Sequence, residues 1–214
     1  TGVGMSLDLG GSGTVIAIPK DALSRFFGTD AFEMSMTLQA DQSGVSWGEV
    51  ARVHGSISVN VQADGDLYVE LFPDTGERIK LESQGIAVND GAAHDISIVF
   101  DGASGSLQIL IDGVVTGSQT VAGSMPEMGD WGLTFGQPWG GQNFDGKLSA
   151  FELDAASVDT STAPDPVDPV VEPEASPALD DVLVFNENDG AFYLQGDEGK
   201  SVIDNSDDAS VATG

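Results

Sequence analysis

Two-residue alternation of apolar and polar side chains is the feature that most limits what this chain can fold into. Phe32, Met34, Met36 and Leu38 alternate with Glu33, Ser35, Thr37 and Gln39. Only an extended strand sends successive side chains to opposite faces, so this stretch predicts a half-buried β-strand. The same alternation recurs over residues 57–61, 67–71, 96–100 and 148–153, in Leu107, Ile109 and Ile111, and in Trp131, Leu133 and Phe135. Turn signals separate the runs: Ala63-Asp-Gly-Asp66, Asn89-Asp-Gly91, Asp101-Gly102, Asp112-Gly113 and Asp145-Gly146. Asp-Gly pairs accept the positive φ angles of tight hairpins. Short strands at a spacing of about 8–12 residues predict an antiparallel sandwich or barrel. Only residues 19–27 carry a helical signal, with Pro19 at the start, where a helix tolerates it.

Charge narrows the function classes. The chain holds 35 acids against 7 bases, a formal charge of -28. Such a surface repels nucleic acid and anionic lipid, and it is compatible with Ca²⁺, a hard cation that takes oxygen ligands. There is no cysteine, which excludes disulfides, thiolate zinc sites and a cysteine nucleophile. No apolar run approaches the ~20 residues of a membrane span, so no membrane insertion is expected. The first residues, Thr1-Gly-Val-Gly4, lack an initiator Met and a charged leader, as expected of a piece of a longer multidomain chain.

Composition divides the sequence. Five prolines and interleaved acids fill 163–177, a pattern favouring extended polyproline II structure. Beyond it, 182–185 and 191–194 flank Asn186-Glu-Asn-Asp-Gly190, a hairpin signal. Two strands alone are marginal in water, so this hairpin needs a partner to stay ordered. The expected organisation is a β-sandwich over 1–154, a Pro/acid-rich linker over 155–178 and an incomplete C-terminal segment with a β-hairpin over 179–214. Limited proteolysis is expected to cut the linker first and leave 1–154 as a stable core.

One ordered set of segments is similar to a known family. Ala93-His-Asp-Ile-Ser-Ile-Val-Phe-Asp-Gly102 precedes Gly105-Ser-Leu-Gln-Ile-Leu-Ile-Asp-Gly113. Trp131-Gly-Leu-Thr-Phe-Gly136 and Phe144-Asp-Gly-Lys-Leu148 follow. In this order they resemble the C-terminal half of laminin-G-like domains, and residues 5–19 with 31–38 resemble that family's opening strands. The family often has Trp before the histidine, where this chain has Ala93. The resemblance covers about 1–154 and implies an all-β, antiparallel, two-sheet jelly-roll sandwich of the concanavalin A-like lectin-glucanase type. It also implies a secreted adhesion, spacer or glycan-binding module, with Ca²⁺ held at one rim by loop carboxylates and carbonyls.

The residues offer two candidate sites. For a metal, the acid-bearing loops and strand starts nominate Asp145, Asn143, Asp41 and Asp8. No single stretch supplies the 6–8 oxygens Ca²⁺ takes, so loops must converge. Asp64-Gly65 and Asp112-Gly113 read as hairpin turns instead. For a glycan, Trp131, Trp139 and Phe144 stand close in sequence to Gln142 and Asn143. Aromatic faces stack on sugar C–H groups, and amides fix the hydroxyls. No catalytic residues are assigned. Glu187-Asn-Asp189, a Glu-x-Asp, has Phe192 where a glycanase strand would carry its second glutamate. The expected function is a non-catalytic extracellular module that binds a glycan or another cell-surface or matrix component. The rival readings are a polysaccharide-degrading glycanase or lyase and a purely structural adhesin stalk.

Overall fold

The computed structural model describes residues 6–9, 16–23, 26, 31–40, 47–123, 132–136, 144–154, 182–186, 191–196 and 199–202. The elements run β1 (Leu7–Asp8), β2 (Ile16–Ile18), α1 (Lys20–Leu23), β3 (Ala31–Ala40), β4 (Trp47–Val53), β5 (Ile57–Gln62), β6 (Leu67–Leu71), β7 (Ile79–Glu82) and β8 (Ala93–Asp101). They continue with β9 (Ser106–Ile111), β10 (Val114–Thr120), β11 (Leu133–Phe135), β12 (Gly146–Asp154), β13 (Val182–Asn186), β14 (Ala191–Gly196) and β15 (Gly199–Val202). All strand pairings among the described residues are antiparallel. The first sheet has the order β10-β9-β8-β3-β12-β13-β14-β15, with β1 also bonded to β12; the second has the order β2-β11-β4-β5-β6-β7. This is a two-sheet antiparallel β-sandwich, one of the two architectures that the alternation predicts and the one that the family resemblance implies.

The apolar member of each alternating pair faces the other sheet. Phe32, Met34, Met36 and Leu38 from β3, Ile96, Ile98 and Phe100 from β8, and Val59, Val61, Val69 and Leu71 from the second sheet share one buried core. The β9–β10 hairpin shows how the turn residues work. Asp112 (φ 53°) and Gly113 (φ 75°) both adopt left-handed backbone, as a two-residue type I′ turn requires. Asp112 also accepts the Asp95 N–H at 2.9 Å and lies 2.8 Å from His94 Nδ1, while Asp90 lies 3.1 Å from His94 Nε2. The hydrogen bond with the Asp112 carboxylate is the largest influence raising the His94 pKa above its ordinary value.

Strand β12 departs from strict alternation. Leu148, Phe151 and Leu153 all reach the core, although Leu148 and Phe151 are three residues apart. The register shifts between Ser149 and Glu152, and Ala150 takes a left-handed φ of 48°. The extra residue of this bulge returns the apolar side chains to the inside.

The hairpin beyond the Pro-rich stretch is bonded into the same sheet. Strand β13 pairs with β12 through Glu152–Val184, Leu153–Leu183 and Asp154–Val182, and β14 follows. Phe192 of β14 stacks on Phe135 of the second sheet, with ring centroids 5.6 Å apart and planes 14° from parallel. It also meets Phe151 and Phe185 at 6.2 and 5.2 Å. Residues that composition placed in a separate segment therefore contribute to the core of the sandwich. The expected linker, 155–178, lies outside the described residues. Cleavage within it should leave the two fragments associated under native conditions, because β13 keeps its ladder to β12. Size-exclusion chromatography of the nicked protein checks this; early release of a fragment containing 182–202 would contradict the pairing.

Candidate functional site

A groove of about 330 Å³ lies on the outer face of the first sheet. Because Phe32, Met34, Met36 and Leu38 point inward, β3 turns Glu33, Ser35 and Thr37 outward. By the same alternation β8 presents Asp95 and Ser97. Register sets these side by side: Thr37 opposes Asp95, and Ser35 opposes Ser97. Leu110 from β9 and the strained Ala150 from the β12 bulge complete the lining. The Thr37 hydroxyl donates to Asp95 Oδ1 at 2.8 Å, and the Ser97 hydroxyl donates to Glu33 Oε1. Glu152, the neighbour of Ser35 across β12, has its pKa pushed up by burial first and then by the charges of Asp154 and Glu33. The groove combines a polar wall, an apolar patch and room for one or two sugar rings.

The outer face of the second sheet is different, and the sequence reading missed it. Ser58 and Asn60 alternate with core residues of β5 yet are 0% exposed, and Tyr68 and Glu70 on β6 are 5% and 4% exposed. Long neighbours fold over them. Arg52 Nε donates to Glu49 Oε2 at 2.7 Å, the Tyr68 hydroxyl donates to Glu70 Oε1 at 2.8 Å, and Arg78 pairs with that same oxygen. Lys80 covers the Tyr68 ring at 5.8 Å. The only advance signal was four polar residues on the solvent-side phase of two strands; their burial depends on neighbours that come together only in the folded sheet.

Glu49 Oε1 and Asn60 Oδ1 are the buried side-chain atoms without a hydrogen-bond partner among the described residues, and their residues face each other across β4 and β5. Burial pushes the Glu49 carboxyl above its ordinary value; the Arg52 hydrogen bond and charge pull it down, and Glu70 adds to the rise. A carboxyl raised in the folded state holds its proton more tightly there. Its stabilising contribution is complete below the unfolded value and is lost as pH rises through the folded value. Glu49→Gln keeps a carbonyl for Arg52 and offers Asn60 Oδ1 a donor. Its stability relative to wild type should therefore grow as pH is raised from about 4 to about 8. Urea titrations of both proteins across that range check this; a relative loss that grows with pH would mean that the ionised carboxylate is what the site needs.

The residues nominated from sequence fall in different places. Phe144, expected on a glycan surface, is instead 0% exposed and part of the core, because an aromatic entering β12 gains more by packing between the sheets than by facing water. Asp8 and Asp145 are exposed. Register brings them to one end of the first sheet: Asp8 pairs with Lys147, Gly146 pairs with Ala40, and the Leu9 N–H donates to the Gly146 carbonyl at 2.9 Å. Asp41, Asn143, Trp131, Trp139 and Gln142 lie outside the described residues. Among the described residues no group of three or more His, Cys, Asp or Glu side chains is placed to hold a metal ion. Asp64 is in a turn, as expected: its Oδ1 accepts the Asp66 N–H at 3.2 Å.

A family model described as the concanavalin A-like lectin/glucanases superfamily matches residues 10–156. No curated protein matches the chain. Among solved structures, the mouse laminin alpha1 chain, domains LG4-5, is 14% identical with a TM-score of 0.55, over 69% of this chain and 40% of that one. A putative carbohydrate binding protein from Bacteroides ovatus is 11% identical with a TM-score of 0.57, over 93% of this chain and 57% of that one. The CBM40 of a Ruminococcus gnavus IT-sialidase, bound to alpha2,3 sialyllactose, is 12% identical with a TM-score of 0.53, over 67% of this chain and 86% of that one. At these identities the likeness is one of fold.

Proposed function

Since the chain belongs to the concanavalin A-like lectin/glucanases superfamily, we propose that it is a non-catalytic carbohydrate-binding module of a larger secreted protein. The observation that carries this reading is the groove on the first sheet, where paired hydroxyls and carboxylates stand over Leu110 and Ala150. A sugar ring offers the complementary surface, with equatorial hydroxyls for the polar wall and C–H faces for the apolar patch. The sialyllactose-bound CBM40 and the putative carbohydrate binding protein support a glycan as the partner. Fold alone leaves chemistry open, but the close carboxylates Glu49 and Glu70 are buried and engaged by Arg52 and Arg78, which favours a structural role over turnover. No helix among the described residues is long and apolar enough to cross a membrane. A screen of polysaccharides that reads both binding and reducing-end or unsaturated products tests the reading. Saturable binding without product is expected; accumulating product would overturn it in favour of a glycanase or lyase.

Calcium is part of the same proposal. Asp8 and Asp145 come to one sheet end, and Asp41 and Asn143 adjoin that end in sequence. Millimolar Ca²⁺ is expected to raise Tm more than equal Mg²⁺. A specific site adds RT ln(1 + [L]/Kd), about 2.7 kcal/mol at one hundred times Kd, whereas screening of the -28 charge acts nearly alike for both ions. Asp145→Asn should shrink the difference more than Asp64→Asn. Equal shifts by the two ions would leave screening as the whole effect.

A further inference from the structure

Two of the three hydroxyl protons lining the first-sheet groove, those of Thr37 and Ser97, are already committed. Thr37 donates to Asp95 Oδ1 and Ser97 donates to Glu33 Oε1, so what these pairs turn toward a ligand is mainly acceptor: hydroxyl lone pairs and the second oxygen of each carboxylate. Among the described residues, no lysine, arginine or histidine lines the groove. The carboxylates of Glu33 and Asp95 stand on this face, and Glu152 beside it has its pKa raised, by burial first and then by the charges of Asp154 and Glu33. The whole chain, at -28, adds to their field. A ligand seated there must bring donors and must not bring another negative charge, because like charges set against each other in a site are costly and unpaired acceptors lose their hydration without return.

We infer that the groove selects glycans whose contacting rings are donor-bearing and either uncharged or amine-bearing, and that it excludes rings carrying carboxylate or sulfate. The inference rests on the carbohydrate-binding reading and adds a ligand class to it. The sialyllactose-bound CBM40 has this fold, and the charge of the groove marks a different specificity for this chain.

Linkage-matched pairs isolate the charge: neutral hexose oligosaccharides, their uronic-acid counterparts and their 2-amino counterparts, titrated calorimetrically against the full chain. The neutral form should bind at least roughly tenfold more tightly than the uronic form at low ionic strength, with the gap narrowing as salt screens it. The amine-bearing form should match or exceed the neutral one. Asp95→Asn supplies an N–H₂ donor and removes a charge, so it should reduce the discrimination against the uronic form; its circular dichroism and Tm, set beside wild type, establish that it folds. Ser97→Ala, which leaves both carboxylates in place, should keep the preference for neutral over uronic rings. Preferential binding of the uronic forms would overturn the inference while leaving the module a glycan binder. Unchanged discrimination in a folded Asp95→Asn protein would overturn the assignment to this groove. Failure of every glycan class to bind would overturn the carbohydrate-binding reading, and the inference with it.

Discussion

Phe192→Ala is expected to cost about 3–5 kcal/mol of stability, the range for deleting a buried aromatic ring. For a chain of this size that lowers Tm by on the order of 10 °C. The reason is the position of the ring. Phe192 comes from the hairpin beyond the Pro-rich stretch, yet it is 2% exposed and stacks at 5.6 Å on Phe135 of the opposite sheet. Phe135 meets Phe151 edge-on at 4.9 Å, and Phe185 lies 5.2 Å from Phe192. Removing the ring leaves a void between two sheets whose backbones are held by their own ladders, so collapse around it is limited. A protein ending at residue 154 should behave alike, because it loses Phe185 and Phe192 together and leaves one edge of β12 without β13. Thermal and urea unfolding of the point variant and of the shortened chain measure both effects. A shortened chain as stable as the full one would show that the hairpin is an accessory to the sandwich.

Trp139→Ala is expected to lower the affinity for a glycan that the first-sheet groove also holds, while leaving Tm within a few degrees of wild type. Pro138 and Gly140-Gly141 flank the tryptophan and oppose a regular strand, a loop-like sequence, and loops on rigid β scaffolds carry function. Gln142 and Asn143 follow in sequence and supply hydrogen-bonding groups, and Trp131 supplies a second face. Loss of a binding aromatic costs on the order of 2 kcal/mol, about thirtyfold in Kd. Titration calorimetry beside thermal unfolding separates the outcomes. A large drop in Tm would make Trp139 a core residue. Unchanged affinity in a stable variant would confine recognition to the groove between β3, β8 and β12, where Asp95→Asn is the informative change.

Alternation determined by itself that this chain makes short antiparallel strands with one face turned inward; it left sandwich and barrel both open. Strand residues send side chains to opposite faces whatever their neighbours, so Met34 against Ser35 and Ile98 against Ser97 already assign inside and outside. Turn chemistry was equally local: Asp112-Gly113 makes its type I′ turn through the backbone preferences of two residues. Composition alone placed the acidic charge and the absence of cysteine. Tertiary structure decided the rest. A strict two-residue period cannot hold across 148–153, and only pairing with β3 shows Ala150 taking the strain that returns Phe151 and Leu153 to the core. Phe144 stood in sequence among Gly, Gln and Asn like a loop aromatic, and its burial follows from the space between the sheets. The polar cluster of Glu49, Asn60, Tyr68 and Glu70 and the groove of Glu33, Thr37, Asp95 and Ser97 each join strands distant in the chain. Cross-strand register brings them together, and register is a property of the assembled sheet. The hairpin at 182–196 was legible as a hairpin, but its place beside β12, with Phe192 on Phe135, depends on an open strand edge and an unfilled core that belong to residues far earlier in the chain.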